Sequence, residues 1–218
     1  MNTVLVYAVS VLAVYLLGCI NTAAILARIK GFDIRTKGSG NAGASNALVT
    51  MGKGAAVCSA LFDIMKAFIP VFLLLHVFTL TADYPLLPVL TGVSVILGHM
   101  FPFWMQFKGG KGFASLLGLS LALDWRMFLA CIAILAVLLF STRYIALATV
   151  SCSVLVPVWW IIFTGSIVQT VLLAAVCIVM IARHIQNIKR IINGTEIKFR
   201  EKTKEPDDAS GSEEADAS

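Results

Sequence analysis

The sequence predicts an all-α integral membrane protein, a seven-transmembrane-helix bundle with its N-terminus outside and its C-terminus cytoplasmic. Three observations predict it. Of 218 residues, 59% are hydrophobic and only 13% charged, against about 45–50% and about 25% in a soluble domain. The apolar residues come in long unbroken runs. The basic residues fall on one side of those runs, as the positive-inside tendency requires.

In order, the runs are Val4–Ala27, Ala55–Phe78, Leu86–Met100, Phe113–Leu123, Met127–Phe140, Ile145–Phe163 and Ile167–Ile181. The fourth is short, since twelve helical residues cover about 18 Å of a hydrocarbon core roughly 30 Å thick. It could join the fifth through Asp124-Trp125-Arg126, but charge decides against this. With seven spans, Arg28, Lys30, Arg35, Lys37, Lys53, Lys108, Lys111, Arg143 and every basic residue from Arg183 onward share the cytoplasmic side. That is fifteen of seventeen, with Lys66 inside a span and Arg126 outside. Merging two runs would send the basic C-terminal segment to the other face.

The five cysteines, Cys19, Cys58, Cys131, Cys152 and Cys177, sit in apolar runs at no metal-like spacing and imply neither a metal nor a disulfide framework. Leu16-Leu17-Gly18-Cys19 superficially matches a lipoprotein box. No positive segment precedes it and the apolar run continues to Ala27, so the first run is expected to stay as a span. Residues 1–200 are expected to form one polytopic membrane domain. Residues 201–218 are expected to be a disordered acidic cytoplasmic tail, lacking apolar anchors. The net charge of +5 lies mostly on the inner face, where anionic membrane phospholipid would attract it. No basic stripe interleaved with aromatics suggests nucleic acid.

Three short polar segments interrupt this apolar chain. In the first, Gly38-Ser39-Gly40-Asn41-Ala42-Gly43-Ala44-Ser45-Asn46, the literal GxGxxG pattern lacks the preceding strand of a dinucleotide site. Its glycines, asparagines and serines suit a backbone that turns its amides on an anion, though a simple turn favours the same residues. The second runs from His99 to Gly112 and ends Lys108-Gly109-Gly110-Lys111-Gly112 ahead of a helix. Free glycine amides, a helix N-terminus and two lysines read as a phosphate cradle, with a solvated basic loop as the alternative. Met105 and Phe113 exclude a Walker A loop. The third is Arg183-His184-Ile185-Gln186-Asn187, where His184 and Asn187 share a helix face beside Arg183 and Arg190. Glu196 could accept from one of these basic groups. In the second run, Asp63 and Lys66 are three residues apart and are expected to neutralise one another.

At these motifs the chain resembles the bacterial membrane acyltransferases that acylate glycerol 3-phosphate from acyl phosphate. Their Gly-Ser-Gly-Asn-x-Gly-Ala-Thr-Asn, Gly-His-x-Phe-Pro…Phe-Lys-Gly-Gly-Lys-Gly and Arg-His-x-x-Asn-Ile…Gly-Thr-Glu segments correspond to 38–46, 98–112 and 183–196. The resemblance implies a seven-span enzyme of the bacterial inner membrane with its site toward the cytoplasm. It implies acyl transfer from acyl phosphate to the sn-1 hydroxyl of glycerol 3-phosphate, the first step of phospholipid synthesis, with no cofactor and no metal. The enzyme supplying acyl phosphate is a candidate partner.

Ser39, Lys111, His184 and Asn187 are then the expected catalytic residues. Gly40, Asn41, Gly43, Asn46, Lys108, Gly109, Gly110 and Gly112 are expected to bind substrate or phosphate. Ser45, Lys53, His99, Thr149, Arg183 and Glu196 are expected to support them. The chain departs from the family at Ala47-Leu48-Val49-Thr50, where Val49 stands in place of an arginine; Lys53, one turn on, is the candidate substitute. Milder departures are Ser45 for threonine, Cys19 and Asn21 where Gly-Ser-Ile-Pro is common, and Ala146 for serine, with Thr149 keeping a hydroxyl nearby.

Overall fold

The computed structural model describes residues 3–78 and 82–199, and every regular element among them is helical. The first apolar run does not make one helix. It divides into α1 (Thr3–Gly18) and α2 (Thr22–Ile29). Asn21 causes the break: its Oδ1 accepts from Ala24 N at 2.9 Å and caps α2, while its Nδ2 donates to Ala42 O. The carbonyls exposed by the break are all satisfied. Lys66 Nζ donates to Gly18 O and Ile20 O at 3.1 and 2.8 Å, and Trp104 Nε1 donates to Cys19 O at 2.7 Å. Cys19, the residue of the lipoprotein-like box, is buried here.

The chain continues through α3 (Ala44–Met51), α4 (Lys53–His76), α5 (Leu87–Met100), α6 (Phe113–Leu123), α7 (Trp125–Thr142), α8 (Ile145–Thr164) and α9 (Ile167–Ile192). Among the described residues, six stretches are long and apolar enough to cross a bilayer: Thr3–Ile29, α4, Leu87–Met105, α7, α8 and α9. The expected count of seven is therefore corrected to six. α6 has eleven residues, about 16 Å of rise. It is not fused to α7, because Asp124 leaves helical backbone (φ −156°, ψ 112°) and accepts from Arg126 N to cap the next helix. Beside Arg126, that carboxyl is held below its usual range, with Trp159 Nε1 donating to it as well.

α5 and α6 form the centre. Twelve of the fourteen α5 residues and seven of the eleven in α6 are buried, enclosed by α1, α4, α7 and α9. Glycines set the close approaches. A side chain at Gly118 of α6 would collide with the backbone of Ile64 in α4, and one at Gly98 of α5 with that of Tyr15 in α1, the small-residue packing that brings membrane helices together. Tyr7 against Tyr84, Trp159 against Asp124 and Trp160 against Gln169 tie one end of the bundle. The C-terminus of α5, the N-terminus of α6 and the last turns of α9 meet at the other. The expected acidic tail lies outside the described residues.

Candidate active site

The second polar segment folds back over the helix that precedes it. Gly110 N donates to His99 O at 3.1 Å and Gly109 N to Met100 O at 3.0 Å, satisfying the last carbonyls of α5. Gln106 and Phe107 make the return in left-handed backbone, φ 55° and 58°. A side chain at Gly109 would strike His99 O and Pro102, and one at Gly110 the imidazole of His99. The two glycines are needed for this close approach. Their amides are already engaged, so the expectation that both are free to cradle a phosphate is corrected. The amides left for an anion belong to the first turn of α6, which opens at Gly112 without a side-chain cap.

The third segment is a continuous part of α9 and meets this loop directly. Lys111 Nζ donates to Asn187 Oδ1, and Asn187 Nδ2 donates to Glu196 Oε1. Arg190 Nε donates to Glu196 Oε2 at 2.6 Å. Arg183 clamps the loop from the side, donating to Gly109 O and Gly110 O at 3.0 and 3.2 Å with its guanidinium over Phe101. Among the described residues, three basic side chains and one carboxylate surround the start of α6. Burial foremost, with Arg190 and Arg183, lowers Lys111 to about 8 against the raising effect of Glu196. That lysine remains mostly charged at neutral pH.

His184 is buried, with Nδ1 2.8 Å from Met180 O. A carbonyl only accepts, so Nδ1 carries the proton and Nε2 is left as an acceptor.

The first segment wraps a small apolar cluster of Ala23, Ala24, Ala27, Ile34, Ala42, Ala47 and Met105. Asn46 organises it: Oδ1 accepts from Ser39 N at 2.8 Å, and Nδ2 donates to Ile34 O and Lys37 O, each at 3.0 Å. Gly38 is fixed by this packing, with φ +57° and no room for a Cβ beside Asn46. The Asp33 carboxylate holds Arg35, whose Nη1 donates to Met105 O at 2.9 Å and so joins this loop to the second segment. Among the described residues, no hydrogen bond joins Ser39, Gly40, Asn41 or Gly43 to Lys111, His184 or Asn187.

The side chains of Ser39, Ser45, Lys53 and Lys108 are exposed. Thr149 donates to Ile145 O of its own helix at 3.2 Å. Lys53 is not one turn beyond Val49 on a common helix, because Gly52 (φ +89°) ends α3 and Lys53 begins α4.

Sequence reading missed three residues that hold the site. Asn21 was legible as a cap, standing before Thr22-Ala23-Ala24. Arg35 and Trp104 act through distant backbone carbonyls and left no local signal.

The profile of the family described as glycerol-3-phosphate acyltransferase matches residues 8–194. Relatives of that description include one from Shouchella clausii (strain KSM-K16), 39% identical over 199 residues and covering 88% of this chain and 96% of the relative. Another, from Clostridioides difficile (strain 630), is 39% identical over 209 residues, covering 90% and 97%. A third, from Prochlorococcus marinus (strain MIT 9215), is 34% identical over 194 residues, covering 88% and 96%. The fold is similar to the crystal structure of PlsY, an integral membrane glycerol 3-phosphate acyltransferase, in its glycerol 3-phosphate form. The TM-score is 0.81 at 30% identity, over 88% of this chain and 95% of that one. The lysophosphatidic acid form of PlsY gives a TM-score of 0.77. The chain thus belongs to the glycerol-3-phosphate acyltransferase family.

Proposed function

We propose that this protein transfers an acyl chain from acyl phosphate to the sn-1 hydroxyl of glycerol 3-phosphate, giving 1-acyl-glycerol 3-phosphate and inorganic phosphate. The hydroxyl oxygen attacks the acyl carbonyl carbon and an ester bond forms. The carbonyl C–O bond to phosphate breaks, and the leaving phosphate takes the hydroxyl proton. One observation carries this reading. Among the described residues, Lys111, Arg183 and Arg190 gather at the start of α6 against one carboxylate, that of Glu196, a positive surplus suited to a doubly charged phosphate ester.

In this reading Lys111 holds the acceptor phosphate and offsets repulsion between the two anions, with Lys108 and the α6 amides assisting. Nε2 of His184 accepts from the neighbouring sn-2 hydroxyl and so orients the attacking group, whose own proton stays free for the leaving phosphate; Asn187 fixes Lys111, and Ser39 and Asn41 polarise the acyl group. An activated donor leaves positioning and electrostatics as the enzyme's main tasks. The site end faces the cytoplasm of a bacterial inner membrane, where the basic residues gather and where anionic phospholipid and the enzyme supplying acyl phosphate would meet it.

Val49 favours a second reading, a diverged acceptor. It is 37% exposed on α3 where the family motif carries an arginine. Phosphate release from palmitoyl phosphate by the purified protein, with and without glycerol 3-phosphate, decides between them. Acceptor-dependent release abolished by Lys111→Ala supports the acyltransferase. Release that depends on glycerol 3-phosphate only after Val49→Arg supports the second reading.

A further inference from the structure

A buried ionic cluster lies beneath the glycine loop, and among the described residues no hydrogen bond joins it to Lys111, His184 or Asn187. Lys66 Nζ is 2.7 Å from Asp63 Oδ1, 3.0 Å from His99 Nδ1, 2.8 Å from Ile20 O and 3.1 Å from Gly18 O. His99 Nδ1 is also 3.3 Å from Asp63 Oδ1. Asp63, Lys66 and His99 are 2%, 4% and 3% exposed. A neutralised pair needing only concealment would be satisfied within α4. This one reaches two other elements, the break between α1 and α2 and the C-terminal turn of α5.

The geometry continues to the loop. The Nδ1 edge of His99 packs against Lys66 Nζ and Asp63 Oδ1, and its opposite edge, at Nε2, is the surface on which Gly110 rests. His99 O takes the Gly110 amide, and Lys111 is the next residue. We propose that Lys66, with Asp63, is a positioning residue for the anion-binding loop, acting through His99 to set where Lys111 stands. This rests on the acyltransferase reading for its kinetic consequence but not for its structural one.

Removing one charge would strand the other, whereas replacing a buried pair by apolar residues is commonly tolerated. The test is therefore the double variant Asp63→Leu/Lys66→Met in the full-length protein. Two measurements are made beside the wild type, hydrogen exchange over residues 106–112 and kinetics with palmitoyl phosphate and glycerol 3-phosphate. The Gly109 and Gly110 amides should exchange about tenfold faster or more, with α7–α9 unchanged. The KM for glycerol 3-phosphate should rise about ten- to hundredfold, as for a displaced binding group, with the KM for palmitoyl phosphate unaltered. Unchanged exchange in the loop overturns the proposal whatever the activity, and so does a uniform loss of kcat with KM intact. Should the double variant fail to fold, His99→Ala and Gly110→Ala singly and together decide it. The proposal requires His99→Ala to relieve the collision at Gly110, so the effects on KM must be non-additive; additive effects overturn it. A wild type that releases no phosphate with glycerol 3-phosphate overturns the functional reading alone, and the exchange result then judges the positioning role.

Discussion

Asn187 of α9 stands between Lys111 and Glu196, accepting from the ammonium through Oδ1 and donating to the carboxylate through Nδ2. Only an amide offers an acceptor and a donor at these two places. Asn187→Asp should therefore be worse than its size suggests. It would set a second carboxylate against Glu196 and hold Lys111 in an ion pair that competes with substrate phosphate. A loss in kcat/KM of about a hundredfold is expected, as for one preorganised contact removed. Asn187→Ser, which cannot span both partners, should lose a similar amount. Steady-state phosphate release measures both, and activity near wild type in either would remove Asn187 from the site.

The titration of Lys111 sets opposite trends for binding and stability. Burial holds its folded pKa at about 8, below the ordinary lysine value of 10.5. Between those values the unfolded chain binds more protons, so this residue's contribution makes stability rise with pH from about 8 toward 10.5. Affinity for a phosphate ester should fall over the same interval as the charge is lost, by up to about tenfold per pH unit. KM for glycerol 3-phosphate, followed from pH 7 to 9.5, should climb above about pH 8 in the wild type. In Lys111→Arg, whose charge does not titrate in that range, the climb should be absent. A flat wild-type profile would show that Lys111 does not carry the phosphate.

How much of this was legible in sequence depends on the range of the forces involved. The helical segments were readable because an apolar run reports immersion in lipid locally, even where few of its residues are buried within the protein. The His184–Asn187 face was readable because helix periodicity is local too. The fate of Gly109 and Gly110 was not. Glycine in a loop signals freedom or close approach equally, and only the returning chain over His99 shows that their amides are already bonded. The break at Cys19–Asn21 was hidden for a similar reason. Its three carbonyls are satisfied by Lys66 and Trp104, 46 to 85 residues away in the chain. The Asp63–Lys66 pair was visible from its spacing, but the reach to His99 was not.

The His184 tautomer gives a graded prediction. With Nδ1–H fixed on Met180 O, Nε2 can accept from the acceptor's sn-2 hydroxyl and so orient the attacking one, and a glutamine carbonyl can do the same. His184→Gln should retain a substantial part of turnover if orientation is the role, while His184→Ala should lose about a hundredfold or more. Total loss in both variants, with glycerol 3-phosphate still bound, would make His184 the base instead of the leaving phosphate.

Asn46 should act on stability more than on chemistry. Its buried side chain makes three hydrogen bonds that hold the loop from Ile34 to Ser39. At about 1 kcal/mol each, Asn46→Ala should cost about 3 kcal/mol. Asn46→Asp keeps the acceptor for Ser39 N but turns an anion on the carbonyls of Ile34 and Lys37, so it should cost more than alanine. Thermal unfolding in detergent should rank wild type above alanine and alanine above aspartate. If aspartate proves the more stable, the carbonyls of Ile34 and Lys37 do not depend on the Asn46 amide.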